Sequence, residues 1–222
     1  MSTMFDPVDF YCERLDPSFW AEPLNAISNI AFIVAGVAIL IKLKKIGLTS
    51  TWTRVLAWNA TVVGIGSFIF HTLAVVWAKW ADVLPIMVFM CLVFFYFLKK
   101  VFRLSTLVTS LFLLGFFIVG FLLETKVPRY FNGSISYSHA LISLALIAYL
   151  TRKRRDELGP WMIWTAPLFF LSLIFRTIDS DICSTLPIGT HYLWHTLNGI
   201  MIWMLLMSVM SFEKHLLSSK RV

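Results

Sequence analysis

A chain of 222 residues that is 59% hydrophobic and only 14% charged cannot hide its apolar surface in water, because soluble domains average about a quarter charged residues and a compact fold still shows solvent a large area. A net charge of +7 would suit a nucleic-acid partner, but the basic residues gather in loops between apolar runs. That placement points to membrane topology and anionic headgroups, not to a nucleic-acid footprint.

In chain order, residues 1–24 form an acidic, polar extramembrane segment. It lacks the basic stretch, short apolar run and small-residue cleavage site of a signal peptide. Seven apolar runs follow, at about 25–42, 55–74, 83–98, 106–125, 136–150, 161–178 and 190–210. Each is near the ~20 residues that cross about 30 Å of hydrocarbon, the fifth being short. Backbone groups in lipid must be satisfied within their own segment, which predicts helices. Short loops predict antiparallel neighbours. The expected fold is an all-α integral membrane protein, a seven-transmembrane-helix bundle over residues 25–211 with a tail at 212–222.

Lysine and arginine set the orientation. Of the 19 basic residues, 14 fall in the loops after runs one, three and five or in the tail; the other five are Arg14, Lys79, Lys126, Arg129 and Arg176. The positive-inside rule then predicts a cytosolic C-terminus and an N-terminus outside. Nine of the twelve carboxylates lie on the opposite, outer side.

That outer side also collects histidines. The second run ends Ser67-Phe68-Ile69-Phe70-His71, and the seventh begins His191-Tyr192-Leu193-Trp194-His195. Spacing of i, i+4 puts each pair on one helix face. The end of the second span and the start of the seventh lie at one depth. A single interfacial histidine is usually tolerated polar decoration, but two imidazoles on one face of an apolar helix are costly unless something binds them. Three neutral imidazoles with an open fourth position are the donor set of catalytic zinc. Asp82 enters the third run nearby. His139 and His215 have no partner at such spacing.

Together, Ser-x-x-x-His, the Asp and His-x-x-x-His resemble the motif set of alkaline ceramidases, progestin/adipoQ receptors and related membrane hydrolases. Asp9-Phe10-Tyr11-Cys12-Glu13, then Glu22-Pro23-Leu24-Asn25-Ala26-Ile27-Ser28-Asn29, and Ile178-Asp179 with Cys183, resemble the ceramidases within that set. The resemblance implies zinc on His71, His191 and His195. It also implies a role for Asp82 in orienting or deprotonating water, with partnership to His71 as the alternative. Ser67 is then an oxyanion donor, or else a hydroxyl bonded to its own helix. Calcium on Asp9, Glu13 and Glu22 is a further implication, with Asp16 supplying an oxygen. Here the sequence departs from the family: one extra residue separates the Asp from the Cys, and no Asn stands two positions after Glu13.

Cys12 and Cys183 both fall on the outer side, where a disulfide can form, and are expected to pair; Cys91 reads as an apolar filler. Arg176 is expected to pair with Asp179 or another carboxylate, or to meet a polar lipid headgroup. Asn132-Gly133-Ser134 is a glycosylation sequon. The implied activity is hydrolysis of ceramide or a ceramide-like N-acyl lipid, entering from the bilayer, to a long-chain base and a fatty acid at an exoplasmic-facing site. The alternatives are a progestin/adipoQ-type receptor and a lipid-remodelling hydrolase on another lipid.

Overall fold

The computed structural model of the chain describes residues 3–127 and 130–219. Arg129, Lys220 and Arg221, counted in the charge balance above, lie outside the described residues. Nine α-helices occur among the described residues: α1 (Pro23–Ser28), α2 (Ile30–Lys45), α3 (Thr51–Leu73), α4 (Val76–Tyr96), α5 (Thr106–Lys126), α6 (Ser138–Leu150), α7 (Arg155–Leu158), α8 (Met162–Ile178) and α9 (His191–Ser218). A π-helical turn at Phe97–Val101 prolongs α4, and a 3-10 segment at Tyr130–Tyr137 leads into α6.

Six helical stretches are long and apolar enough to cross a membrane: Pro23–Lys45, Thr51–Leu73, Val76–Val101, Thr106–Lys126, Phe131–Leu150 and His191–Ser218. The run expected at 161–178 is present as α8, an apolar helix of 17 residues, at the short end of the range for a span. Two other boundaries differ from the sequence reading. The third run begins at Val76 rather than near residue 83, so Asp82 lies inside α4 and not at its entry. The seventh does not stop near 210 but continues to Ser218, through most of the expected tail.

Helix starts follow ordinary capping chemistry. The Ser50 hydroxyl accepts the Thr53 amide at 3.1 Å before α3, and Ser105 accepts that of Val108 at 3.3 Å before α5. Each satisfies one of the amides a helix N-terminus leaves unpaired. α3 ends where Ala74 turns left-handed at φ 44°, and the chain reverses straight into α4.

Small residues let the central helices close up, as in other membrane bundles. A Cβ at Gly66 would collide with the Ala81 carbonyl on α4, and one at Gly199 with Ala31 on α2. Helices α2, α3, α8 and α9 form the interior with α4, while α5 is the least buried of the spans. The end opposite the histidines is closed by Glu213, which accepts from Tyr96 Oη at 3.0 Å and Ser50 Oγ at 3.2 Å.

The polar N-terminal segment packs onto the bundle. The Val8 amide donates to the Ala74 carbonyl at 2.7 Å, and the Val76 and Trp77 amides donate back to Asp6 and Met4 at 3.1 and 2.9 Å. Cys12 is joined to Cys183 by a disulfide (Cα–Cα 5.1 Å) across a sequence separation of 171 residues, as expected. Cross-linking so long a loop restricts the unfolded chain. Cys12→Ser or Cys183→Ser should cost about 2–4 kcal/mol, read as a lower unfolding temperature in detergent. Reductant should reproduce the drop in the wild type and leave the variants unchanged.

Candidate metal centre

α3 delivers His71 in its last turn, and α9 delivers His191 at its first residue and His195 one turn later. All three imidazoles are buried, and one nitrogen of each lies within 4.8 Å of the others. Among the described residues this is the one group of histidine, cysteine or carboxylate side chains disposed to hold a metal ion.

The partners of the rings determine which nitrogen is free. The Ser28 hydroxyl donates to the Asn25 carbonyl at 2.9 Å, so it accepts from His195 Nδ1, 2.8 Å away. The Glu22 carboxylate accepts from His71 Nδ1 at 2.6 Å. Both rings therefore keep the Nε2 lone pair. His71 Nε2 is buried with no partner, as is His191 Nδ1. Orphaned ring nitrogens at the meeting point of three imidazoles fit a metal ion, and outer carboxylate and hydroxyl partners are what metal-binding histidines usually have.

Close packing of α3 on α4 brings Ser67 and Asp82 to the same place. Gly66, beside Ser67, lies against Ala81, beside Asp82. Ser67 and Asp82 thus lie on facing turns of α3 and α4. One Asp82 oxygen, Oδ1, is buried without a partner. The carboxylate bonded to His71 is Glu22, while Asp82 lies across from the turn of α3 that precedes His71.

The acidic segment is organised differently from the calcium set suggested by its sequence. Glu13 spends both carboxylate oxygens on backbone amides, accepting from Leu24 at 2.7 Å and Asn25 at 2.8 Å at the start of α1. Arg14, buried, donates to Glu22 at 2.6 Å, to the Asp16 carbonyl at 3.2 Å and to the His71 carbonyl at 3.0 Å. The last contact places a cation on the C-terminal end of α3, where helix carbonyls are unpaired. Burial by itself would raise the Glu22 pKa, but His71, Arg14 and Asn25 outweigh it and hold the carboxyl below its ordinary value. Asp16 caps the Ser18 amide at 2.7 Å, and Asp9 is exposed. Calcium needs six to eight converging oxygens; here Glu13 is bonded to backbone amides, Glu22 to Arg14 and His71, and Asp16 to the Ser18 amide, while Asp9 is exposed, so the four do not converge as a ready oxygen cage.

Several residues of the site had no signal in sequence spacing. Asp179 is buried in the loop before α9, where its Oδ1 accepts from the Thr190 and His191 amides at 2.6 and 2.9 Å and its Oδ2 from the Cys12 amide at 3.2 Å. It caps the helix that carries two of the histidines, and Gly189, at φ 61°, makes room for it where a Cβ would clash. Arg176 therefore does not pair with Asp179. Tyr11 stacks on His191 with ring centroids 3.7 Å apart. Burial, against the opposing charge of Arg176, pushes its phenol above the ordinary value, so the hydroxyl stays protonated.

Below the histidines opens a narrow apolar cavity of about 90 Å³. Trp194, Asn198, Met201 and Leu205 run down one face of α9 along it. Phe32, on its wall, is edge-on to His195 with centroids 6.2 Å apart. The cavity thus begins about one helical turn from the imidazoles. The site comprises three buried histidines disposed to hold a metal ion, with an apolar cavity beneath them.

Comparison with curated proteins finds no significant match. The ceramidase family profile, however, matches residues 11–221, a stretch that holds the three histidines, Ser67, Asp82 and the Cys12–Cys183 pair. The chain belongs to the ceramidase family.

Proposed function

We propose that this protein is a zinc-dependent lipid amidase that hydrolyses ceramide, or a ceramide-like N-acyl lipid, to a long-chain base and a fatty acid. The observation that carries this reading is the convergence of His71, His191 and His195 at the head of the apolar cavity. Zinc on these nitrogens supplies Lewis acidity toward the amide carbonyl and toward water.

The remaining chemistry belongs to the chain. Asp82 takes the proton of the attacking water and delivers it to the leaving nitrogen. Ser67 has one hydroxyl proton. It is donated to Asp82 while that carboxylate is charged, and it is released toward the carbonyl oxygen once Asp82 has been protonated. Glu22 and Ser28 hold the ring planes of His71 and His195. The cavity accepts the alkyl chain and keeps bulk water from the amide, which strengthens each polar contact around it.

In the topology we propose, the histidine end faces the exoplasmic side and α8 serves as the seventh span. The disulfide at that end supports this orientation, since such bonds persist in oxidising compartments. A membrane-impermeant thiol reagent applied to intact cells should label a cysteine introduced at exposed Asp9 and not one introduced at Lys44; the reverse pattern would overturn the orientation.

The decisive experiment couples metal analysis to turnover. Purified protein should carry about one zinc per chain and hydrolyse a fluorescent ceramide, while His195→Ala loses both. A calcium-selective chelator should leave turnover unchanged. Zinc without turnover of any ceramide would sink the substrate assignment in favour of another lipid, and a well-folded sample without a transition metal would sink the enzyme.

Two neighbouring carboxylates should separate in the same assays. Glu22→Gln should weaken zinc retention about 10- to 100-fold, as expected for an outer-shell partner of a ligand. Asp82→Asn should retain zinc and lose about 10²- to 10⁴-fold in kcat. Equal zinc loss in both variants would mean that Asp82 acts through the metal site rather than on the reacting atoms.

A further inference from the structure

Arg176, in the last turn of α8, has no carboxylate partner. Among the described residues the ion pairs are Arg14–Glu22, His71–Glu22 and Arg154–Glu157. Asp179, three residues on, gives its oxygens to backbone amides instead. The Arg176 Nε is buried with no hydrogen-bond acceptor. Among the described residues its one side-chain hydrogen bond is long, from Nη1 to the Tyr11 hydroxyl at 3.5 Å. An uncompensated guanidinium among apolar groups is costly, and at membrane depth such charges are usually functional.

Its surroundings show what it faces. The guanidinium carbon lies 5.3 Å from the Tyr137 ring centroid and 5.5 Å from that of Trp194, and both rings line the apolar cavity. On the other side, Tyr11 links it to His191 by the 3.7 Å stack. The Arg176 charge is also felt by Asp82, whose Oδ1 is likewise unpartnered. An anionic head on an alkyl chain would meet the free guanidinium edge while its tail lay in the slot. Arginine is the side chain best suited to that task, because its planar fork matches a carboxylate with two parallel N–H donors.

We propose that Arg176 forms a carboxylate subsite, receiving the head group of a fatty acid whose alkyl chain occupies the cavity. This rests on the amidase reading for the origin of the fatty acid, though not for its binding. On amide cleavage the acyl carbon acquires a negatively charged oxygen pair that the neutral substrate lacks, so Arg176 recognises product over substrate. It makes the fatty acid an inhibitor that competes with the incoming lipid.

The test reads binding and needs no turnover. Radiolabelled hexadecanoic acid and hexadecanol, alike in chain length and unlike in charge, are titrated onto the purified zinc-loaded wild type, Arg176→Gln and Arg176→Lys. Zinc content and gel-filtration profile confirm that each variant is folded. The wild type should prefer the acid, and Arg176→Gln should weaken acid binding about 10- to 100-fold with hexadecanol binding unchanged. Arg176→Lys should recover part of the preference, because it restores charge without the fork. A glutamine variant that keeps the wild-type preference would overturn the subsite, as would equal losses for acid and alcohol, which would mark a packing role. Unchanged acid binding with a raised KM for a phosphate-bearing lipid would assign the guanidinium to a substrate headgroup instead. Because binding is measured directly, failure to hydrolyse ceramide would count against the amidase and not against the subsite.

Discussion

The histidine end of the bundle depends on one docking constraint, the fixing of Cys12 beside Asp179. The disulfide to Cys183 and the hydrogen bond from the Cys12 amide to Asp179 hold the polar segment to the loop before α9. Asp179 in turn caps the helix bearing His191 and His195. With Cys12 held there, Tyr11 falls on His191, and Glu13 and Arg14 fall between the starts of α1 and the end of α3. Glu22 then meets both Arg14 and His71. Glu13, Arg14, Glu22 and Asp179 are each answered by a buried partner, and the groups left unanswered are ring nitrogens of His71 and His191, one oxygen of Asp82, Arg176 Nε and the side-chain oxygens of Asn25 and Asn29.

Much of this was legible in the sequence, for local reasons. Apolar runs of about span length become helices because lipid leaves the backbone no other solution. The i, i+4 spacing of His191 and His195 fixes a shared face whatever the rest of the fold does. Cys12 and Cys183 were the two cysteines outside apolar runs, and they pair.

What could not be read depended on tertiary placement. Glu22 precedes the first apolar run and Asp82 follows the second, and no periodicity tells which of them turns to His71. The choice is made by Cys12 and Arg14 pulling the polar segment over α3. Ser28 looks like any helix hydroxyl until α1 packs beside α9. Nor does spacing show that Arg14 reaches Glu22, one of the carboxylates considered for calcium. The pairing of Arg176 with Asp179 was plausible by sequence distance alone. It does not form because the aspartate is oriented by the amides of α9.

The long-range disulfide also sets an order of assembly. Residue 12 is synthesised before any span, and its partner at 183 follows six of the seven apolar runs. The N-terminal segment must therefore wait, unlatched, while nearly the whole bundle is made and inserted. His71 is in place early, but the helix carrying the other two imidazoles arrives last. The metal-ready triad thus forms only after translation has passed residue 195, and the latch that steadies it closes in the same late window. A truncated or stalled chain would carry one histidine and an open thiol, and no competent site. For this fold the histidine cluster is assembled by the last helix to be made.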